Sequence, residues 1–292
     1  MVYTIENEFL KVSVETLGAQ LKSIKSKVTD IEYLWQGDKN YWTGRAYNLF
    51  PYVGRFAKGK YVVENKEFSM DRHGFARGTE FALCQKTAES MTFCISATDK
   101  TKEIYPFEFI FSIKYTLCGK GLKVTYNVKN VGNNKMYFGL GGHPGFNVPF
   151  NGGKFEDYYL EFEKDCNPTQ IILDDDGLVS KDREGYTLKD GKKIGLYHSM
   201  FDRDAVVLTD VCRSVYLKDP NGERSIKVDF PDMSYLGFWH MPKTDAPYVC
   251  IEPWMTLPSN AGEPEVLETK ENVGVVESGK EFITDMIISI NE

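Results

Sequence analysis

Three short segments of this chain place a histidine, an arginine or a glutamate beside glycine or proline. They interrupt apolar sequence at residues 48–56 with 73–77, at residues 139–147 and at residues 250–254. Glycine and proline end strands or let a ligand approach the backbone closely, so polar side chains beside them are candidates for a binding site. Glutamate and histidine side chains can transfer protons near neutral pH.

A glutamate and a histidine that share one site could act as a base and an acid. At pH 7 a glutamate with a pKa of about 4.3 is almost wholly ionised, whereas a histidine with a pKa of about 6.5 is only about one quarter protonated. A carboxylate close to His143 would raise the pKa of the imidazole and favour the protonated acid. We therefore expect both side chains to face one pocket. The structural alternative for Glu252 is a buried ion pair with an arginine such as Arg55.

Other catalytic motifs are missing from the sequence. Residues 139–142 begin like a dinucleotide-binding loop, but Pro144 stands where the third glycine would be. There is no G-x-S-x-G or H-E-x-x-H sequence, and the acidic run at residues 174–176 lacks the alternating ligands of a calcium loop. The four histidines are far apart in the sequence, so we expect no metal and no cofactor.

Six cysteines are spread along the chain without a Cys-x-x-Cys spacing. They are Cys84, Cys94, Cys118, Cys166, Cys212 and Cys250. A chain of 292 residues buries enough apolar surface to be stable without cross-links. We therefore expect reduced cysteines in strands or in the core, without a disulfide or metal role.

Charge and hydropathy restrict the partners. The 35 Lys and Arg against 42 Asp and Glu give a net charge of −7, which disfavours non-specific binding to nucleic acid or to anionic lipid. No run approaches the ~18 apolar residues of a membrane span, and the charged N-terminus does not resemble a signal peptide. We expect a cytoplasmic protein that binds a small molecule, with neither nucleic acid nor membrane as partner. The oligomeric state stays open.

Alternating apolar residues predict the strands. Every second residue is apolar over residues 107–117 and again over residues 122–128, and the glycine-containing segment 118–121 supplies a hairpin turn. A second hairpin is predicted over residues 215–230, and a closing strand over residues 282–290.

The same patterns predict the fold class. No stretch of about fifteen residues combines helical spacing with a capping residue, so helices should be few and short. No linker composition and no fixed-period repeat divides the sequence. We expect an all-β chain that forms a single domain over residues 1–292, a large antiparallel β-sandwich.

Four motifs in order resemble those of the aldose 1-epimerase (galactose mutarotase) family, and their form is closest to its LacX-like branch. The motifs are F-P-x-x-G-R at residues 50–55, H-G-F-A-R at 73–77, G-G-H-P-G-F at 141–146 and I-E-P-W at 251–254. The resemblance extends from residues 17–21 to residues 258–262. It implies a galactose mutarotase-like supersandwich and the interconversion of the α and β anomers of a free sugar.

The resemblance also implies residue roles. Glu252 matches the family's general base, which takes the proton from the hydroxyl at C1, and His143 matches the general acid, which protonates the ring oxygen. His73 and Arg55 match residues that hydrogen-bond the sugar. A hemiacetal opens when one group removes a proton and another supplies one, so the chemistry fits this pair.

Further contacts are less well defined by the motifs. The family has an aspartate that contacts the sugar hydroxyls, and the sequence offers Asp202 and Asp204, of which we favour Asp204. Trp239 and Trp254 could each stack on the sugar or belong to the core.

Rival functions stay open at this point. Arg72 and Arg77 flank His73, which would suit the phosphate of a hexose 6-phosphate. A carbohydrate-binding or sensing domain without turnover is a second alternative. A glycosidase ranks last, because the sequence places no second carboxylate beside Glu252.

Overall fold

The computed structural model describes residues 1–292, and most of its regular structure is β-strand. The strands, in chain order, are β1 (Val2–Glu6), β2 (Leu10–Glu15), β3 (Gln20–Ser26), β4 (Ala46–Leu49), β5 (Lys60–Val63), β6 (Lys66–Ser69), β7 (Ala82–Lys86), β8 (Ser90–Ser96), β9 (Phe109–Cys118), β10 (Gly121–Asn130), β11 (Met136–Phe138), β12 (Gly141–Asn147), β13 (Tyr159–Phe162), β14 (Thr169–Leu173), β15 (Val179–Gly185), β16 (Lys193–Gly195), β17 (Val206–Thr209), β18 (Ser214–Lys218), β19 (Ser225–Asp229), β20 (Tyr235–Trp239), β21 (Tyr248–Trp254), β22 (Glu265–Val266), β23 (Gly274–Val276) and β24 (Glu281–Asn291).

Helices are short, as predicted. The single α-helix, α1, covers Asp99–Lys102. Five 3₁₀ helices cover Ala57–Gly59, Ala76–Gly78, Phe155–Asp157, His198–Phe201 and Leu267–Thr269. None of these helices has the length and apolar character needed to cross a membrane.

Two large antiparallel sheets form the sandwich. The nine-stranded sheet has the order β16-β13-β18-β19-β24-β10-β9-β8-β7, and the seven-stranded sheet has the order β15-β14-β17-β20-β21-β12-β4. Three small sheets accompany them, and one of these contains the only parallel pair, β22 with β5. The prediction of an all-β antiparallel sandwich is confirmed.

The predicted hairpins are present. Strands β9 and β10 pair from Phe109 with Asn130 to Cys118 with Gly121, and alternate residues of β9 are buried. Strands β18 and β19 form the second hairpin, and β24 closes the nine-stranded sheet between β19 and β10. Each buried aromatic or large aliphatic side chain contributes about 1.5–3 kcal/mol by leaving water, which explains why the alternation fixes these strands.

A cluster of 62 buried hydrophobic residues extends from Ile5 to Ile290 and takes members from both large sheets. Phe111 on β9 and Ile251 on β21 both belong to it. Because this cluster joins the start of the chain to its end, we propose that residues 1–292 form one domain.

Strand β21 separates the core from a second face of the seven-stranded sheet. All seven of its residues are buried. Successive side chains on a strand point to opposite faces. Val249 and Ile251 join the main core, whereas Tyr248 and Cys250 belong to a separate small cluster. Glu252 follows Cys250 in the same alternation and therefore faces away from the main core.

One cysteine pair departs from the expectation of six free thiols. Cys84 on β7 and Cys94 on β8 are joined as a disulfide, and their Cα atoms are 6.2 Å apart. This separation lies within the range that a disulfide can bridge, and it arises because β7 and β8 are neighbours at the sheet edge. Cys118, Cys166, Cys212 and Cys250 are free.

Candidate active site

His143 and Glu252 meet across two adjacent strands. In the register of β12 with β21, Gly141 lies opposite Trp254, which places His143 opposite Glu252. Directly opposite side chains on one face of an antiparallel pair are close neighbours. His143 Nε2 lies 3.2 Å from Glu252 Oε2, and the two residues are only 8% and 1% exposed. The strands therefore bring together the two residues that the sequence singled out for acid–base chemistry.

Two glycines lie opposite residues of β21 beside this pair. Gly237 of β20 is opposite Glu252, and Gly145 of β12 is opposite Cys250. A Cβ added at Gly237 would lie 3.1 Å from the Trp254 ring and 3.4 Å from the Glu252 Cβ. A Cβ added at Gly145 would lie 3.1 Å from the Trp42 ring, so the two glycines let indole rings pack closely beside the pair.

A cavity of about 200 Å³ lies above this surface. The polar side chains that line it are those of Arg72, His73, Arg77, His143 and Glu252, and the aromatic ones are those of Trp42, Tyr47, Trp239 and Trp254. Pockets for drug-sized ligands are about 300–1,000 Å³, so this smaller cavity suits a compact polar ligand.

Burial controls the protonation of the pair. It lowers the pKa of His143 to about 3, with a smaller contribution from Arg72. It raises the pKa of Glu252 well above its usual range. The expectation that the carboxylate would raise the pKa of His143 is wrong, because desolvation of the imidazolium is the larger effect. Both pKa shifts favour the uncharged forms. Glu252 is therefore a carboxylic acid beside a neutral His143 imidazole, and the two side chains share the carboxyl proton.

The pair keeps unused polar atoms. Oε1 of Glu252 and Nδ1 of His143 are buried and have no hydrogen-bond partner within the protein. An unpaired buried polar atom costs about 1–3 kcal/mol, so such atoms are usually present for a ligand or for water.

His73 also lines the cavity. Its ring centroid is 5.8 Å from that of His143, and its backbone φ is +68°. The Gly54 N–H points to His73 Nδ1 at 3.1 Å, and Arg72 Nε points to His73 Nε2 at 3.2 Å. A neutral imidazole has one acceptor nitrogen, so only one of these contacts is a full hydrogen bond at a time. Burial lowers the pKa of His73 well below its usual value and keeps the ring neutral.

Asp204 reaches the site through Arg72. Its Oδ2 lies 3.4 Å from Arg72 Nη2, and its backbone φ is +93°. Asp202 instead is exposed and accepts a hydrogen bond from the Lys243 N–H at 3.2 Å. Of the two aspartates that the sequence offered, only Asp204 contacts a residue of the cavity wall.

Arg55 does not line the cavity. Its side chain is exposed, and it forms no ion pair with Glu252, whose partner is His143. Two other arginines, Arg72 and Arg77, line the cavity instead.

Trp239 lies beside the acid–base pair. Its ring centroid is 5.7 Å from that of His143, and the two rings are nearly perpendicular. Trp254 also lines the cavity, but it is 3% exposed and packs against Leu49 and Val53.

Sequence reasoning missed Trp42 and Tyr47. The Trp42 ring lies 4.9 Å from the His143 ring at an angle of 30°, and Tyr47 on β4 is directly opposite His143. The Arg77 guanidinium lies 5.5 Å from the Tyr47 ring centroid. Tyr47 directly precedes the segment at residues 48–56, so the alternation of that segment could have indicated it. Trp42 lies in a loop and gave no such signal.

The site also contains a possible set of metal ligands. One ligand atom each from His143, Cys250 and Glu252 lies within 4.8 Å of the other two, and all three residues are buried. Nitrogen, sulfur and carboxylate oxygen are the ligand types that zinc uses in proteins.

Comparison with known proteins extends over nearly the whole chain. The sequence profile of the aldose 1-epimerase family matches residues 1–266. The chromosomal protein LacX of Lactococcus lactis subsp. lactis is 35% identical over 283 residues, which are 94% of each chain.

Solved structures agree closely with the fold. A galactose mutarotase related enzyme from Lactobacillus acidophilus is 33% identical and superposes with a TM-score of 0.94, covering 100% of this chain and 98% of that one. A galactose mutarotase-like protein from Lactobacillus casei is 31% identical with a TM-score of 0.93, and all of both chains is covered.

Proposed function

The chain belongs to the aldose 1-epimerase family, and we propose that it is a mutarotase that interconverts the α and β anomers of a free aldohexose. The observation that carries this proposal is the 3.2 Å contact between His143 Nε2 and Glu252 Oε2 at the floor of a small cavity. Opening and closing a hemiacetal requires only one proton acceptor and one proton donor.

The reaction begins with the proton that the pair shares. Its transfer from Glu252 Oε2 to His143 Nε2 creates the carboxylate base and the imidazolium acid without exchange with solvent. Glu252 then removes the proton from the C1 hydroxyl, the bond from C1 to the ring oxygen breaks, and His143 protonates the ring oxygen. The product is the open-chain aldehyde.

Reclosure reverses these transfers. Rotation about the C1–C2 bond presents the other face of the carbonyl to the C5 hydroxyl. As the new C–O bond forms, the C5 hydroxyl proton returns to His143, and Glu252 protonates the oxygen at C1. The imidazolium of His143 then returns its proton to the Glu252 carboxylate, so both residues end as they began, and the sugar has the opposite configuration at C1.

The walls of the cavity supply the binding groups. Arg72, Arg77 and His73 offer donors and acceptors to the sugar hydroxyls, with Asp204 holding Arg72. The rings of Trp42 and Trp239 can cover apolar C–H groups of the sugar, as aromatic side chains commonly cover apolar ligand surface. A sugar contact of Arg55 stays a prediction of the family resemblance, since other arginines line this cavity. An Asp204 contact with the hydroxyls is likewise a proposal.

Polarimetry of freshly dissolved α-glucose and α-galactose tests the proposal. The protein should accelerate the approach to anomeric equilibrium, and Glu252→Gln should lower kcat by about 10²–10⁴. Glu184→Gln, which changes an exposed glutamate on edge strand β15, is the matched control and should keep full activity. Absence of acceleration with every common free aldose would overturn the proposal. A protein that binds sugar without turnover, unaffected by Glu252→Gln, would be a binding domain instead.

A hexose 6-phosphate is the second candidate substrate. Arg72 and Arg77 both line the cavity, and guanidinium groups form strong paired hydrogen bonds with phosphate. Comparing kcat/KM for glucose and glucose 6-phosphate decides between the two substrates. A preference for the unphosphorylated sugar would exclude the hypothesis that a hexose 6-phosphate is the substrate.

A further inference from the structure

We propose that His143, Cys250 and Glu252 form a binding site for a thiophilic divalent cation such as Zn²⁺. The ion would occupy the place of the shared proton and block the acid–base pair, so it acts as an inhibitor and has no part in the reaction. The inhibitory consequence rests on the proposed mutarotase function, whereas the metal site itself does not.

The spacing of the ligand atoms fits a tetrahedral ion. With Zn–N and Zn–O bonds of about 2.0–2.2 Å, two ligands at a tetrahedral angle lie about 3.3–3.6 Å apart. The observed separation of His143 Nε2 and Glu252 Oε2 is 3.2 Å, so the ion can join both with little movement.

The thiol completes the set after a small shift. With a Zn–S bond of about 2.3 Å, the sulfur should lie about 3.6 Å from the other two ligand atoms. The present separations among the three ligand atoms are at most 4.8 Å. A side-chain adjustment of about 1 Å therefore suffices.

The sheet builds this arrangement. Cys250 and Glu252 are two residues apart on β21 and so share a face, and His143 lies opposite Glu252 on β12. Gly145 faces Cys250 from β12, so no side chain of that strand covers the sulfur. All three ligands thus belong to interior strands of one sheet, which holds them in place.

The remaining polar atoms of the pair and the state of the thiol are compatible with a bound ion. Glu252 Oε1 and His143 Nδ1 are buried without a hydrogen-bond partner, and the two residues are 1% and 8% exposed. Cys250 is a free, fully buried thiol. A set of one nitrogen, one sulfur and one carboxylate oxygen favours zinc-like ions over Mg²⁺ or Ca²⁺, which prefer oxygen ligands alone. Three protein ligands leave the fourth coordination position of a tetrahedral ion free. Because Glu252 and His143 line the cavity that would hold the sugar, this position would face that cavity.

Cobalt spectroscopy of the purified full-length protein tests the site directly. Addition of CoCl₂ should give one bound ion per chain, with the near-ultraviolet absorption of a thiolate bound to Co²⁺. Cys250→Ser should abolish that absorption and weaken Zn²⁺ binding by at least about tenfold. Substituting a residue that only hydrogen-bonds a metal ligand already weakens metal binding by about that much. Cys212→Ser, which removes another free cysteine, should leave both unchanged. Cys250→Ala serves if the serine variant is unstable.

Activity and binding are read separately. If the protein is a mutarotase, ZnCl₂ should slow it, and saturating sugar should compete with the ion. Relative to its own rate without metal, Cys250→Ser should be at least about tenfold less sensitive to ZnCl₂. If no mutarotation is found, the cobalt spectrum still decides the metal site. Absence of bound ion in the parent protein, or a thiolate band that persists in Cys250→Ser, would overturn the proposal.

Discussion

Replacing Glu252 by Gln and His143 by Asn, singly and together, should show that the two side chains act as one unit. Each substitution keeps a similar shape but removes one partner of the 3.2 Å contact. A well-placed acid or base contributes about 10²–10⁴ in rate, or about 3–5 kcal/mol, so each single variant should lose that much. Because the two side chains share one proton, the unsubstituted residue of a single variant has no partner with which to exchange that proton. The double variant should therefore be about as slow as the slower single variant.

The assay is polarimetry of α-glucose under conditions where the uncatalysed rate is subtracted, with circular dichroism to establish that each variant is folded. Independent groups would give a double variant slower by the product of the single effects, about 10⁴–10⁸. That multiplicative result would refute the shared-proton mechanism. A coupling of about 3–5 kcal/mol in the double-mutant cycle would support it.

Three further changes test the surroundings of the pair. Asp204→Asn should raise KM, because it frees the Arg72 side chain. It should change the free energy of unfolding by less than about 1 kcal/mol, since the ion pair is partly exposed. The control Asp202→Asn should change neither quantity, and equal effects of the two variants on KM would contradict the choice of Asp204. Burial lowers the pKa of His240, which contacts His198 at 3.1 Å and also feels the nearby Asp202 carboxylate. The folded state therefore favours neutral His240, so its contribution to stability is present above the unfolded pKa of about 6.5 and is lost as pH falls below it. Urea unfolding at pH 7.5 and pH 5 should show a smaller acid loss for His240→Gln than for the parent, and an equal loss would contradict this. Gly237→Ala should destabilise the fold by about 1–3 kcal/mol, because the new Cβ would lie 3.1 Å from the Trp254 indole ring. An unchanged melting temperature would contradict this and show that the sheet can move there.

Local patterns predicted most of the fold. The hairpin of β9 and β10 was evident from alternation alone, because burying one face of each strand determines its register. The motifs also indicated that Glu252 and His143 belong to one site, since glycine and proline beside them mark strand positions that a ligand can approach.

Features that depend on distant strands could not be predicted. The position of Trp42 over His143 and the contact of Arg72 with Asp204 depend on how loops fold over the sheet, which no local spacing encodes. The protonation of His143 was predicted with the wrong sign because burial, unlike a neighbouring charge, is not visible in a sequence. The Cys84–Cys94 disulfide likewise requires the pairing of β7 with β8.

His143 and Glu252 belong to strands in the interior of the seven-stranded sheet, whereas Trp42, Arg72 and Asp204 come from the connections above it. In the proposed mechanism, the groups that transfer protons and the groups that select the sugar therefore belong to different parts of the molecule. Insertions or exchanges in the connections could then change which sugar is accepted, while His143 and Glu252 stay in place on their strands. Relatives with different substrates would share these strands and differ in the connecting loops, and grafting the loops of one relative onto another is a route to new specificity.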